Sequence, residues 1–427
     1  MRAEVGRPDS GPPGLQRLVY FAFCWTIRHP RLLRWIGAVL RSAPRLSPVP
    51  LAARRGAVRK VLTRTSSFSS TSHAANLIAG DFLIGMDPGS TYQHDRALFD
   101  SFVASLDASA DADAEARRRL QQLTARKSVS SFDLIEDYLL WVVFSAVKPA
   151  FGFAADYVVA GSRDVVPDEA TERHYLHEVR YVAAHLLAGR LAPAQVRRRA
   201  EISAASLRAR IAAMTPELGM AWPQTRTAPF SAIQRNAIGL AWVSHPVTVQ
   251  SGALVVQELL GRPRVYEALR KEAAALGAGV WTCGRFRQTI TSHVLELMRF
   301  RPVFPALSRD VPRATEFESG ARANPKCPAG SSLSILSISA LFDPLGKDNM
   351  RGYCPDRQWG AEDDARFMMF GFGERQCPAK DQAVDILASA LIGLLTLPRL
   401  DYAGGWSQKI HYDGPMIDRM RLQPAQD

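Results

Sequence analysis

The stretch Phe370-Gly371-Phe372-Gly373-Glu374-Arg375-Gln376-Cys377-Pro378 leads into a helical apolar run that ends near Leu397-Pro398. Cys377 therefore comes just before the N-terminus of a predicted helix. Free backbone N–H groups and the positive end of the helix dipole stabilise a thiolate at such a place. Pro378 fits a first helical turn, because its missing N–H costs nothing there. The pattern predicts a cysteine thiolate that can bind a metal ion.

The residues before Cys377 fit a flat cofactor. Gly371 and Gly373 let the backbone fold closely beneath it, and Phe370 offers an aromatic face. Arg375 can pair with an acidic group at the edge of the cofactor. Each feature is weak alone, and a structural cysteine in a glycine-rich loop is the alternative. The combination at this spacing favours a cofactor site.

These residues closely resemble the haem-binding signature of the cytochrome P-450 family, Phe-x-x-Gly-x-Arg-x-Cys-x-Gly. The matching positions are Phe370, Gly373, Arg375 and Cys377, and Ala379 replaces the last glycine. The resemblance covers roughly residues 50 to 415. It implies the P-450 fold, haem b as the cofactor and Cys377 as the axial ligand of its iron.

The family also carries a Glu-x-x-Arg pair beside the haem, which Glu296 and Arg299 resemble. Their spacing places both charges on one helix face. The resemblance supplies Arg357, in Pro355-Asp356-Arg357, as a third member. A buried pair of this kind can fix a loop, so these three residues are expected to be structural.

A second, looser match lies upstream of these motifs. His94-Asp95-Arg96 follows Met86-Asp87-Pro88 and is similar to the bacterial His-x-Arg-x-Arg stretch that reaches a haem propionate. Leu98 stands where the second arginine would be. The resemblance implies that His94 and Arg96 contact the propionate.

The long helix expected above the haem, about Ser231 to Leu260, departs from the family. Family monooxygenases usually carry an acid and an alcohol there, whereas Ala241 to Thr248 contains no carboxylate. Pro246 in the helix interior predicts a kink. His245 could deliver a proton, with Ser244 and Thr248 holding a water for it. The alternative is a core histidine bonded to a backbone carbonyl.

Composition sets the outer limits. The chain has 427 residues, 47% apolar and 22% charged, with a net charge of +12. These values are typical of a globular protein and exclude a disordered chain. Arginine is spread along the chain without a recognisable binding motif, so no nucleic-acid partner is expected. Five cysteines exclude a disulfide scaffold and favour a reducing, cytoplasmic location.

The periodicity predicts a fold that is mainly α with a small β region. Residues 1–14 are expected to be a loose tail, and residues 15–427 one P-450 domain. The apolar run Leu18 to Trp25 predicts a helix that packs on the body or rests on a membrane surface, with no membrane span. Ser332 to Ile338 alternates as a strand does. Helical spacing recurs in Leu134–Val147, Tyr175–Leu187, Val196–Ala213, Ile233–Leu260 and Val265–Leu276.

By the resemblance, the function is haem-thiolate oxidation of a small organic substrate by a monooxygenase that takes electrons from a ferredoxin and its reductase. His245-Pro246 is similar to a motif of the family's peroxide-using branch. One alternative is therefore an enzyme that uses hydrogen peroxide or rearranges a hydroperoxide. Another alternative is a haem-binding protein without catalysis.

Overall fold

A computed structural model describes residues 13–43, 47, 50–71, 77, 80–125, 131–148, 169–213, 230–316, 326–344, 350–404 and 410–425. Its α-helices, numbered in chain order, are α1 (Pro13–Arg28), α2 (Pro30–Ser42), α3 (Arg55–Thr63), α4 (Ser90–Ala104), α5 (Ala108–Thr124), α6 (Leu140–Val147), α7 (Glu169–Ala188), α8 (Ala194–Ala213), α9 (Phe230–Gly239), α10 (His245–Leu260), α11 (Pro263–Leu276), α12 (Gly284–Phe300), α13 (Ser337–Leu341) and α14 (Lys380–Leu395).

Short strands form small sheets at the side of these helices. The strands are β1 (Leu51–Ala52), β2 (Phe132–Asp133), β3 (Leu307–Asp310), β4 (Thr315–Glu316), β5 (Lys326–Cys327), β6 (Ser332–Ile335), β7 (Leu400–Tyr402), β8 (Ile410–Asp413) and β9 (Met416–Pro424). One sheet has the order β1-β6-β3, with β1 parallel and β3 antiparallel to β6. In another, β9 lies between β2 and β7 and also pairs with β8, while β4 pairs with β5.

The main apolar core surrounds α10. This helix packs on α6, α12 and α14, and α14 also packs on α5. A Cβ on Gly252 would lie 3.2 Å from the side chains of both Leu139 and Leu387. The missing side chain therefore lets α10 cross α14 closely, which places α10 beside the helix that follows Cys377.

The predicted class, mainly α with a small β region, is confirmed. The helical segments predicted from apolar spacing lie in helices of the structure, Leu134 to Leu139 as a π-helical segment that leads into α6. The strand predicted over Ser332 to Ile338 ends at Ile335, because the alternation slips at Leu336 and α13 starts at Ser337. Residues 1–12 of the predicted tail lie outside the described residues, and the division into a tail and one domain stays a prediction.

The helix interruption expected at Pro246 lies one turn earlier. A π-helical turn, Leu240–Ser244, separates α9 from α10. Pro246 has no N–H to offer the carbonyl of Trp242, so the regular hydrogen-bond ladder cannot continue through this point. The helical path from Phe230 to Leu260 is thus locally widened in its middle.

The N-terminal helix α1 lies against the body. Cys24 is buried, and Arg28 donates a 2.6 Å hydrogen bond to the carbonyl of Gly414 in the turn between β8 and β9. No helix within the described ranges is long and apolar enough to cross a membrane.

Candidate metal centre

Cys377 lies in a loop between a 3-10 helix, Gly360–Phe370, and the start of α14. Its own N–H donates to the carbonyl of Phe370 at 2.8 Å, which closes the loop on itself. Burial raises the pKa of the Cys377 thiol, while the backbone N–H of Ala379 and the charges of Arg96 and Lys380 act against that rise. A bound cation would tip this balance, because it replaces the proton on a sulfur that already accepts an N–H.

Two glycines give the loop its shape. Gly371 has φ +84° and Gly373 has φ +67°, both in the left-handed region that favours glycine. A Cβ on Gly373 would also lie 3.2 Å from Cγ2 of Thr63 at the end of α3. Ala379 has φ −103°, an ordinary value for any residue, so alanine fits where the family signature has glycine.

Arg375 holds the loop against the segment before α4. It donates to the hydroxyl of Ser70, to the carbonyl of Phe68 at 2.7 Å and to Asp87 at 3.1 Å. Burial lowers the pKa of Arg375, and the charge of Asp87 opposes that shift. Its Nε is buried and has no hydrogen-bond partner among the described residues. Asp87 is thus an acidic partner of Arg375 within the protein, which the sequence did not predict. One further N–H remains for an acidic edge of a cofactor, so that pairing stays a prediction.

Helix α4 braces the same loop from the other side. The Tyr92 hydroxyl donates to the carbonyl of Glu374 at 2.7 Å. Arg96 donates to the carbonyls of Glu374 and Gln376, both at 2.9 Å. His94 is exposed on α4, away from these contacts. Arg96 thus supports the cysteine loop, whereas His94 does not join it, since it lies on the opposite face of α4 from Tyr92. Contact of either residue with a haem propionate stays a prediction.

Glu296, Arg299 and Arg357 lie together in the structure, and their structural role stays a prediction. Arg299 donates to both carboxylate oxygens of Glu296, at 2.7 and 2.8 Å, and both side chains are at most 4% exposed. Arg357 lies 4.0 Å from the same carboxylate. The carboxylate also accepts the N–H of Cys354 at 2.8 Å, so the ion pair fixes the segment that leads to the 3-10 helix before Cys377.

Among the predicted distal residues, His245 is placed in the protein core. It is fully buried, packs edge-on against Phe144 and contacts the carbonyl of Leu140 through Nε2 at 3.0 Å. Burial lowers the pKa of His245 to about 4, so the ring is neutral at physiological pH. This geometry favours the alternative of a core histidine, and a proton-donating role for His245 stays a prediction from the sequence.

A different face of the same helix is open. Val243, Ser244, Val247 and Leu254 are partly exposed, whereas Trp242 and His245 are fully buried. At about 100° per residue, Val243, Val247 and Leu254 lie within about 40° of one another, and Ser244 lies about 60° further round, so the four positions form an arc of about 100°. Ser244 therefore lies on the face that has room beside it, and Thr248, which is buried, flanks this arc.

Some partners in this region had no signal of their own in the sequence. Asp87 and Ser70 bind Arg375, yet they are 288 and 305 residues away from it in the chain. Tyr92 stands two residues before His94, outside the segment that resembles the family's His-x-Arg-x-Arg stretch. His245 is bonded to the backbone carbonyl of Leu140. Every residue has such a carbonyl, so the sequence does not show which one accepts the hydrogen bond.

No protein-family model matches this chain, and no curated protein matches it. Solved structures do match. The open cytochrome P-450 EryK from S. erythraea is 19% identical with a TM-score of 0.68, over 92% of this chain and 95% of that one. Cytochrome P-450 260B1 from Sorangium cellulosum is 16% identical with a TM-score of 0.68, over 92% and 96%.

A third match is P450BioI in complex with an acyl carrier protein ligated to hexadec-9Z-enoic acid. It is 13% identical with a TM-score of 0.67, over 93% of this chain and 100% of that one. The chain therefore has the cytochrome P-450 fold, as the resemblance of its cysteine loop predicted.

The donor atoms of the site fit haem, the cofactor that the resemblance of the cysteine loop implies. It combines a half-buried thiol that accepts a backbone N–H, a loop held close by left-handed glycines, and one unpartnered N–H of a buried guanidinium. The thiol suits one axial position on an iron, and the guanidinium suits a carboxylate at the edge of a macrocycle.

Proposed function

We propose that this chain is a haem-thiolate oxidoreductase that binds haem b through Cys377 and oxidises a small organic molecule. The observation that carries the proposal is the cysteine loop itself. Its sulfur accepts the N–H of Ala379 at the foot of α14, and its backbone is bonded to Phe370, Tyr92 and Arg96. Such a loop holds a thiolate in one fixed position, which an axial ligand requires.

When bound there, haem supplies iron-centred activation of dioxygen or of a peroxide. The chain's own part is to hold and orient. Cys377 provides the negative sulfur, and Nε of Arg375 provides a hydrogen bond to a carboxylate of the cofactor. Phe370, half-buried beside the loop, offers its ring as a wall, and Gly373 lets the loop pass close to Thr63 of α3.

Two routes can deliver the oxidant. In a monooxygenase, electrons come from a ferredoxin and its reductase in the reducing cytoplasm. The alternative is a peroxygenase or hydroperoxide-rearranging enzyme, which needs no electron donor. One observation favours this alternative: residues 240–251 contain no carboxylate. His245 is hydrogen-bonded to the carbonyl of Leu140 and does not face the open arc. Ser244 is then the group on the open face that can hold a water for proton transfer.

The test offers the purified holoprotein and a candidate substrate one of three oxidants. These are NADPH with ferredoxin and reductase, hydrogen peroxide, and a fatty-acid hydroperoxide. Product formed with NADPH in step with its consumption supports a monooxygenase, and product formed with either peroxide supports the alternative. Haem binding without product from any of them would contradict the catalytic proposal and leave a haem-binding protein. Ser244→Ala should lower turnover, whereas Ser42→Ala, exposed at the end of α2, should not.

A further inference from the structure

The exposed apolar side chains of this protein are concentrated at one end of the chain. Among the described residues, the large apolar side chains that are exposed all lie on α1 and α2 except Ile202 on α8. They are Leu18 (66%), Phe21 (66%), Trp35 (65%), Trp25 (45%), Val19 (41%) and Val39 (36%). Scattered exposed leucines are ordinary, but a cluster of this kind marks a surface that something else covers.

Helix α1 is apolar on both of its faces. One face packs on the body through Cys24, with Ile27 half-buried beside it. The other face carries Leu18, Phe21 and Trp25, whose spacing puts them within about 60° of one another around the helix. A helix that is apolar all round is normally buried, so the outer face of α1 is expected to have a second apolar environment.

Helix α2 continues the pattern with charge added. Arg31, Trp35 and Val39 are exposed and follow one another at intervals of four, so they form one stripe along the helix. Arg17 is exposed beside Phe21 on α1. Arginine at the margin of an aromatic and apolar surface is the arrangement of helices that lie in a bilayer interface, where tryptophan also prefers to sit.

The charge of this region has one sign. Residues 10–80 contain eleven lysines and arginines and no aspartate or glutamate, so this segment supplies eleven of the chain's net twelve positive charges. Arg54 and Arg59, at the start and middle of α3, are exposed as well. A basic field around an apolar surface attracts an anionic bilayer, since each Lys or Arg near it contributes about 1 kcal/mol.

We propose that the outer faces of α1 and α2 bind the surface of an anionic lipid bilayer. The apolar side chains enter the headgroup region, and the surrounding arginines contact lipid phosphates. A protein partner is less suited to this surface, because α1 and α2 offer it no acidic residue and few polar side chains with which to fix an orientation. The proposal is independent of the chemistry at Cys377.

The test is co-sedimentation of the full-length holoprotein with vesicles of equimolar phosphatidylcholine and phosphatidylglycerol, compared with phosphatidylcholine alone. We expect binding to the anionic vesicles that weakens as salt is raised. The double variant Phe21→Glu with Trp25→Glu should lower the partition coefficient by about 100-fold, because two inserted side chains become charged. Ile202→Glu is the matched control and should bind as the parent does.

Arg17→Gln and Arg31→Gln should each weaken binding by about fivefold at low salt. Trp35→Glu gives a second reading if the double variant fails to fold, as judged by circular dichroism and haem content. Absence of vesicle binding by the parent, or equal binding by the double variant, would overturn the proposal. A concentration-dependent dimer that the double variant abolishes, without vesicle binding, would assign the surface to a second copy and overturn it too.

Discussion

The two sides of the proposed haem site differ in how closely their residues follow the usual P-450 pattern. On the cysteine side, the N–H of Cys377 donates to the carbonyl of Phe370, and its sulfur accepts the N–H of Ala379. Tyr92 and Arg96 of α4 and Arg375 also hold the loop by hydrogen bonds. On the helix side, a π-helical turn stands in the middle of the long helix, and the residues usual for dioxygen activation are absent from it. The residues that would bind the cofactor can therefore stay the same in a chain whose distal helix carries different residues beside the oxidant.

The residues that support the cysteine side include charges that are costly to leave unpaired. Glu296 and Arg299 are buried charges, and each compensates the other. The partly exposed residues of the distal helix are not part of such a buried ion pair. Ser244 and Val247 border open space, where a substitution changes chemistry without breaking the core.

The largest effect is expected from Glu296→Ala. Removing the carboxylate leaves Arg299 buried and unpaired, and the N–H of Cys354 loses its acceptor. We expect a loss of about 3 to 5 kcal/mol in the free energy of unfolding, with low haem content. Urea titration and pyridine haemochrome assays measure both quantities.

Glu316→Ala is the control for that variant, because Glu316 faces solvent and pairs with the exposed Lys326 at 3.7 Å. Its effect should stay within about 0.5 kcal/mol. A stable, haem-loaded Glu296→Ala protein that is merely slower would refute the structural role of this carboxylate.

The next effect depends on pH and concerns His245. In the unfolded chain a histidine titrates near pH 6.5, whereas burial lowers the pKa of His245 to about 4 in the folded protein. Its contribution to stability is therefore complete above pH 6.5 and is lost as the pH falls toward 4, by up to about 3 kcal/mol. His245→Gln can still donate to the carbonyl of Leu140, so its free energy of unfolding at neutral pH should match that of the parent protein. Urea titrations at a series of pH values should show that this free energy falls less between pH 6.5 and 4 in the variant than in the parent.

The same variant separates the two roles considered for His245. With a structural role, His245→Gln retains peroxide-supported turnover at pH 7. With the proton-donating role, turnover falls sharply, while the free energy of unfolding and its decrease below pH 6.5 match those of the parent protein. The second pattern would show that the buried placement of His245 does not describe the working enzyme.

The smallest effect is expected from Tyr92→Phe. It removes the hydrogen bond from α4 to Glu374 and leaves a carbonyl of the cysteine loop without that donor. We expect about 1 kcal/mol less stability and a modestly faster loss of haem to an apoprotein acceptor. Tyr181→Phe, which keeps the ring covered by Arg199, is the matched control. Equal haem loss from the two variants would mean that α4 does not brace the loop.

The sequence predicted the fold through short-range patterns. These patterns are local: the cysteine loop, Glu296 with Arg299 three residues later, and the apolar spacing of the long helices. Local patterns can be recognised in a sequence before its fold is known. Arg357 was predicted by the resemblance, and the structure brings it to Glu296.

The remainder depends on contacts between distant parts of the chain. Asp87 could not be assigned to Arg375 by any spacing rule, and the partner of His245 is a backbone carbonyl. Exposure was equally hidden: the run Leu18 to Trp25 reads as one apolar segment, yet its residues divide between a packed face and an open one. Such division is set by what the helix packs against, which periodicity alone does not reveal.

The central claim is that the Cys377 thiolate is the iron ligand, and the absorption spectrum of the reduced carbonyl complex tests it most directly. We expect the parent protein to show the red-shifted Soret band of a thiolate-ligated haem, and Cys377→Ser to lose it. Cys354→Ser and Cys327→Ser should keep the band, because neither residue lies in the loop before α14. A Cys377→Ser protein that retains the red-shifted band, or a parent protein that binds haem without ever showing it, would contradict the account.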